Sequence, residues 1–302
     1  MSPDSGTVEF SDAQTQDASE QAPRDAEIPP DSGSQSVDAG TNPSLPLSPG
    51  VTTLSLNQII DGQSVSRLVR IHAPSTIDTN KDYPIVFALH GAGGNGERFT
   101  RQLQSLVNAE RFVGIYPDGH NNLWNLGNDG STADDVAFIS NIVSELMNYS
   151  NLDHSRRFVL GFSNGAGMAH KVAIETNLFK AITTVVTQLS MGNEPTSTSP
   201  NVGVQQILGQ DDRLIPYNGG PGPMNLNFYS GEQSAEIWAQ HNGCTTPGAI
   251  DENATRIRIE YTGCNSGVKV IHYGAKGVAH NVPGNFEGGL IPLAINFFEA
   301  TP

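Results

Sequence analysis

The chain lacks most of the features that would tie it to a membrane or to a polyanion. No apolar run approaches the ~18 residues a membrane-spanning helix needs, so no span is expected. Lys and Arg number 16 against 31 Asp and Glu, for a net charge of −15. No basic cluster offsets that balance, which argues against a nucleic-acid partner. Cysteine is nearly absent, with only Cys244 and Cys264 in the chain. Two thiols, both late in the sequence, make a structural metal site unexpected. They leave two readings open, a disulfide worth about 3 kcal/mol or a pair of buried free thiols. The amino terminus shows neither the basic n-region nor the apolar h-region of an export signal.

Aromatics are also scarce at the start: Phe10 is the lone one in residues 1–50, which are rich in Ser, Asp, Gln, Pro and Ala. Nine acids face one base there, Arg24. Such a segment cannot bury enough apolar area to offset its lost conformational entropy. The expectation is a disordered acidic tether over 1–50 and one catalytic domain over 51–302. Stretches such as SDAQTQDASE and PPDSGSQSVDAGTNP resemble spacers behind bacterial export or lipoprotein signals. A secreted, periplasmic or cell-surface location is therefore expected, its signal having been removed, with a lipid anchor as an option and an intracellular location as the alternative.

From residue 51 the pattern alternates between strand-like and helix-like segments. VTTLSLN and SRLVRIHAP are short and β-branched, as in a leading antiparallel pair. PIVFALH, RFVGIYP, RRFVLGF, AITTVVTQL and VGVQQILG are apolar runs of the kind buried on both faces of a sheet. TRIRIEYTG and GVKVIHYG read as later strands. Between them, RFTRQLQSLVNAE, DDVAFISNIVSELMNY, SNGAGMAHKVAIET, SGEQSAEIWAQHNG and GGLIPLAINFFEA read as helices. Asp134 or Asp135 suits the start of the second of these. No internal repeat is visible. The alternation predicts an α/β fold, a mostly parallel sheet of about eight strands with helices on both faces.

FVLGFSNGAGMAH places Ser163 between Gly161 and Gly165, where a buried strand meets a helix start. That is the position of a nucleophile elbow, in which a sharp turn exposes the serine and a helix N-terminus favours developing negative charge. A serine hydroxyl needs a base, and the base needs an orienting carboxylate. Downstream, QDDRLIPY offers Asp211 and Asp212 at the end of one strand, and AKGVAHNVPG offers His280 after the last. The other seven histidines fall in strands, in helices, or before the serine. An oxyanion hole needs two backbone N–H groups. Asn164 should supply one, and the glycine loop HGAGG (His90–Gly94) the other, through Ala92 with Gly93 as the fallback. His90 is expected to bond within that loop. Trp124, Gln188 and Gly93 are candidate substrate-pocket residues.

Taken together, HGAGGN, YPDGHNNLWN, DDVAFISNIV, GFSNGAGMA, QDDRLIPYNGG, WAQHNGC and YTGC resemble the polyhydroxybutyrate depolymerase and feruloyl esterase group of secreted α/β-hydrolases. The match runs from about residue 55 to 299, in order. The resemblance implies the α/β-hydrolase fold, a serine esterase and no cofactor. It matches Ser163 to the nucleophile, Asp212 (over Asp211) to the acid and His280 to the base. It also implies that Cys244 and Cys264 form a bridge, which favours an oxidising compartment. Two departures stand out. The segment at the base reads Ala279, His280, Asn281, Val282, Pro283, without the tryptophan the group often has there. Ala92 replaces a cysteine, which keeps the N–H but changes the wall.

The expected function is hydrolysis of a small-molecule or polymeric carboxylic ester, of feruloyl or short hydroxyalkanoate type, through an acyl-enzyme. A serine peptidase on the same fold and a non-catalytic binding protein are the alternatives.

Overall fold

The computed structural model describes residues 45–127, 131–245 and 248–302. Its first elements are β1 (Gly50–Ile60) and β2 (Gln63–Ala73), antiparallel around Asp61-Gly62. Both turn residues have positive φ, as a two-residue hairpin turn matching the strand twist requires. The remaining strands are β3 (Tyr83–Leu89), β4 (Val113–Pro117), β5 (Leu152–Phe162), β6 (Ala181–Val185), β7 (Gly203–Gly209), β8 (Gly220–Pro221), β9 (Asn227–Phe228), β10 (Ala249–Glu252), β11 (Arg256–Tyr261) and β12 (Val270–Ala275). The main sheet has ten strands in the order β1-β2-β4-β3-β5-β6-β7-β12-β11-β10, while β8 and β9 pair separately. The central ladders from β4 through β12 are parallel, and the flanking ones antiparallel. The sheet is thus wider than the expected eight strands. Within that sheet the strand with no sequence signal is β10, whose four residues are all exposed and carry no apolar pattern.

Helices α1 (Glu97–Gln102), α2 (Gln104–Asn108), α3 (Asp135–Leu146), α4 (Asn164–Glu175), α5 (Gly231–His241) and α6 (Leu290–Glu299) cover both faces. Ile85, Phe87, Leu89 and Val159 face a core shared with α3, α4 and α5. Val86, Ala88, Phe158 and Leu160 face a second core shared with α1, α2 and α6. The alternation is the two-residue side-chain period of a strand covered on both sides, and explains why these strands read as unbroken apolar runs. The one helix expected over RFTRQLQSLVNAE is two, broken at Leu103. Asp134 caps α3 by accepting from the Ala137 N–H at 2.9 Å, while Asp135 is buried in an ion pair with Arg67 at 2.7 Å. Cys244, just after α5, and Cys264, just after β11, form a disulfide.

The tether expected over residues 1–50 lies outside the described residues up to position 44. From Leu45 the chain is already folded: Leu45 N–H donates to Asn148 O and Ser150 N–H to Leu45 O, both at 3.0 Å, and Leu47 is buried in the core. No helix among the described residues is long and apolar enough to cross a membrane.

Candidate active site

The turn from β5 into α4 is as tight as its glycines suggest. A Cβ on Gly161 would lie 2.3 Å from Gly165 O, and one on Gly165 would lie 2.4 Å from Leu89 O, so neither position accepts a side chain. Ser163 itself takes φ 50 and ψ −122, a conformation disfavoured for any residue with a Cβ. Bonds to the neighbouring strand end hold it there: Ser163 N–H donates to Val185 O at 2.9 Å, and Thr187 Oγ1 donates to Ser163 O at 3.0 Å. Its side chain makes no cap bond to the helix, which leaves Oγ free to face outward.

Three residues distant in the chain meet at that hydroxyl. Ser163 Oγ lies 2.8 Å from His280 Nε2, and His280 Nδ1 lies 2.6 Å from Asp212 Oδ2. Asp212 is 7% exposed, and its Oδ1 accepts from the N–H groups of Leu214 (2.8 Å) and Ile215 (3.0 Å). With Oδ1 occupied, Oδ2 is the oxygen turned to the imidazole. An ionised carboxylate only accepts, so Nδ1 carries the ring proton and Nε2 is left to accept from Ser163. Asp211 is exposed and its N–H donates to Val278 O at 2.9 Å, which pins the acid loop to the loop carrying His280.

The glycine loop after β3 passes close to the serine. A Cβ on Gly91 would lie 3.3 Å from Ser163 Cβ. His90 is fully buried and accepts from Gly119 N–H at Nε2 (2.9 Å), so its Nδ1–H donates to Gly91 O at 2.8 Å. Burial lowers its pKa and keeps it in this neutral form. Gly94 N–H donates to the same carbonyl at 3.0 Å. In a trans peptide the C=O and the next N–H point in opposite directions, so fixing Gly91 O turns the Ala92 N–H away from these partners. Among the described residues the Ala92 N–H has no acceptor, and Asn164 as the first residue of α4 has none within its helix.

Three expectations need correction. Gly93 cannot serve as the fallback donor, because its N–H is committed to Asn122 O at 2.8 Å. Trp124 is not a pocket wall: it is fully buried, its Nε1 donates to His90 O at 2.9 Å, and its backbone is clasped by Asn164, whose Oδ1 accepts from Trp124 N–H at 2.7 Å and whose Nδ2 donates to Trp124 O at 3.0 Å. It braces the glycine loop against α4. Gln188 is 2% exposed and its Nε2 donates to Pro216 O (2.8 Å) and Tyr229 O (3.1 Å), so it ties down the loop after Asp212.

The cavity beside Ser163 has other walls. It measures about 530 Å³ and lies between α1–α2 and the start of α6, with Phe99, Leu106, Phe162, Val186, Leu290 and Ile291 among its lining residues. Arg98 and Gln102, one helical turn apart, supply polar groups to it. In sequence these apolar residues are indistinguishable from core positions. A usable signal was the exposed Arg98 and Gln102 flanking Phe99 on the helix that follows the glycine loop. A second cleft, of about 780 Å³, touches His280 and Asp212 but not Ser163 and is also lined by Gln210, Asp211, Arg213 and Leu214.

No protein-family model matches the chain. It is 29% identical over 222 residues to a probable feruloyl esterase C of Aspergillus clavatus, covering 66% of this chain and 71% of that protein. Against a probable feruloyl esterase C of Aspergillus niger the identity is 27% over 285 residues, 89% of this chain and 92% of that protein. Among solved structures, the acetyl xylan esterase from Aspergillus awamori superposes with a TM-score of 0.57 at 18% identity, covering 82% of this chain and 99% of that one, a likeness of fold. The chain is thus similar in sequence to feruloyl esterases over most of its length, has the α/β-hydrolase fold, and is a carboxylic ester hydrolase.

Proposed function

We propose that the protein hydrolyses carboxylic esters through a serine acyl-enzyme, with Ser163 as nucleophile, His280 as general base and Asp212 as the residue that orients the imidazole. The observation that carries this reading is the unbroken relay from Ser163 Oγ through both ring nitrogens of His280 to a buried carboxylate. His280 Nε2 takes the hydroxyl proton as Oγ attacks the ester carbonyl. The N–H groups of Asn164 and Ala92 receive the oxyanion. His280 then returns the proton to the departing alkoxide, and water repeats the sequence on the acyl-enzyme using the same base. Asp212 keeps the proton on Nδ1 and stabilises the imidazolium formed in each half-reaction.

During turnover the acyl group is bonded to Ser163, so it occupies the apolar cavity that touches the serine. The alcohol receives its proton from His280 Nε2, which faces Ser163, so it departs from the same cavity, the one that touches both residues. The names of the relatives and the apolar walls favour feruloyl-type acyl groups, with short hydroxyalkanoates next. The disulfide suits an oxidising compartment and a secreted or cell-surface enzyme. Turnover of p-nitrophenyl acetate by the wild type and by Ser163→Ala tests the mechanism. A loss of several orders of magnitude is expected in the variant, and equal turnover would rule the mechanism out. Methyl ferulate and a hydroxybutyrate oligomer, assayed side by side, separate the substrate classes.

A further inference from the structure

We infer that Val186 sets which acyl groups the serine accepts, and that its backbone is held in an unfavourable conformation to place its side chain for that purpose. The inference rests on the acyl-enzyme reading above and concerns the wall of the same site.

Val186 has φ 55. Among the described residues it is the one β-branched residue at positive φ; the other non-glycine positions are Asp, Asn, Glu, Ser and Met. A branched Cβ is the worst fit to that region, because it crowds the backbone carbonyl that the left-handed turn brings near. Glycine would adopt the same φ without cost. The valine therefore has to be explained by its side chain, and that side chain is 5% exposed and lines the cavity beside Ser163.

The conformation is tightly determined. Val186 N–H donates to Ile207 O at 2.9 Å, and Val186 O accepts from Thr187 Oγ1 at 2.7 Å. The same hydroxyl reaches Ser163 O, and Ser163 N–H bonds Val185 O. Two left-handed residues, Ser163 and Val186, thus stand at the ends of the paired strands β5 and β6, linked through the two hydrogen bonds Ser163 makes with the residues flanking Val186, Val185 and Thr187. Strain retained at such a place marks a position that the surroundings over-determine. With Phe162 and Val185, Val186 forms the sheet-side wall of the cavity; Phe99 and Leu106 from the first two helices and Leu290 and Ile291 from α6 form the others. With Val186 on this wall, the first carbons of an acyl group bonded to Ser163 Oγ are expected to meet its two γ-methyls. Flat or straight acyl groups, such as cinnamoyl or butyryl, clear them, and groups branched next to the carbonyl do not.

The test is kcat/KM on p-nitrophenyl acetate, butyrate, cinnamate, 2-methylpropanoate and pivalate, expressed as the ratio of branched to acetyl ester. In Val186→Gly the pivalate-to-acetate ratio should rise by about tenfold or more, the effect of a methyl-sized change in an apolar pocket. Val186→Ala, which keeps the Cβ and the backbone demand, should show a smaller rise in the same direction. Val186→Thr keeps the branched shape and should hold the wild-type ratio. A ratio within twofold of wild type in both the Gly and Ala variants, each checked as folded by thermal unfolding, would overturn the inference, as would a Thr variant shifted as far as Gly. If the wild type turned over none of these esters, the acyl-enzyme reading itself would fail, a result distinguishable from unchanged selectivity in an active enzyme.

Discussion

Replacing Asp212 by Asn should silence the enzyme while leaving the fold intact. Asp212 Oδ1 accepts from two backbone N–H groups, those of Leu214 and Ile215. Asn has a single acceptor oxygen, and two donors demand it, so the side chain must set its oxygen where Oδ1 now lies. Its NH2 group then faces His280 Nδ1 across the 2.6 Å gap now bridged to Oδ2. Two donors cannot share that contact, so the ring moves its proton to Nε2 and accepts at Nδ1 instead. A protonated Nε2 cannot take the Ser163 proton over the 2.8 Å that separates them. The same change in a serine-histidine-aspartate triad costs about 10⁴ in kcat, or about 5 kcal/mol of transition-state stabilisation. The two loop bonds survive, so stability should change by no more than about 1 kcal/mol. Asp212→Ala loses those bonds as well and should be both inactive and less stable, by about 2 kcal/mol. The assay is kcat on p-nitrophenyl acetate paired with urea unfolding of each variant. An Asn variant that keeps more than a tenth of wild-type kcat would refute the tautomer argument.

Two further outcomes concern stability. Reducing the Cys244–Cys264 bridge, which closes a separation of 20 residues, should lower the unfolding free energy by about 3 kcal/mol; equal urea midpoints with and without reductant would contradict this. Burial pushes the pKa of His272 down to about 4 and that of His170 to about 3, from an ordinary 6.5. The unfolded chain therefore binds more protons between those values, so stability is complete above pH 6.5 and falls as the pH drops toward 4 and below. At pH 5 each histidine should cost on the order of 2 kcal/mol relative to pH 7.5, and urea unfolding free energies that match at the two pH values would show that these rings are not held neutral.

Much of the site was legible because it depends on short-range sterics and on chain order. Gly161 and Gly165 are forced by atoms within a few residues of Ser163 or on the adjacent loop, and the alternation of buried strands with helices sets where the serine, acid and base loops emerge. What the neighbours in sequence could not convey is the direction of a side chain and the identity of its partner. Trp124 and Gln188 are residue types that suit a pocket, yet their polar atoms are spent on His90, Pro216 and Tyr229. The sequence keeps Gly93 as a fallback to Ala92, and its contact with Asn122 removes it. β10 is exposed throughout, so no apolar rhythm announces it. Val186 reads as one more strand residue, although its backbone has turned over.

By itself, then, the amino-acid order determined which elements form, in what succession, and which side chains carry reactive groups, because those depend on local sterics and on the burial pattern of each element. The packed structure alone decided which amides remain free, which polar groups hold loops rather than substrate, and which apolar residues face the serine, because each is settled by atoms brought close only when distant segments meet.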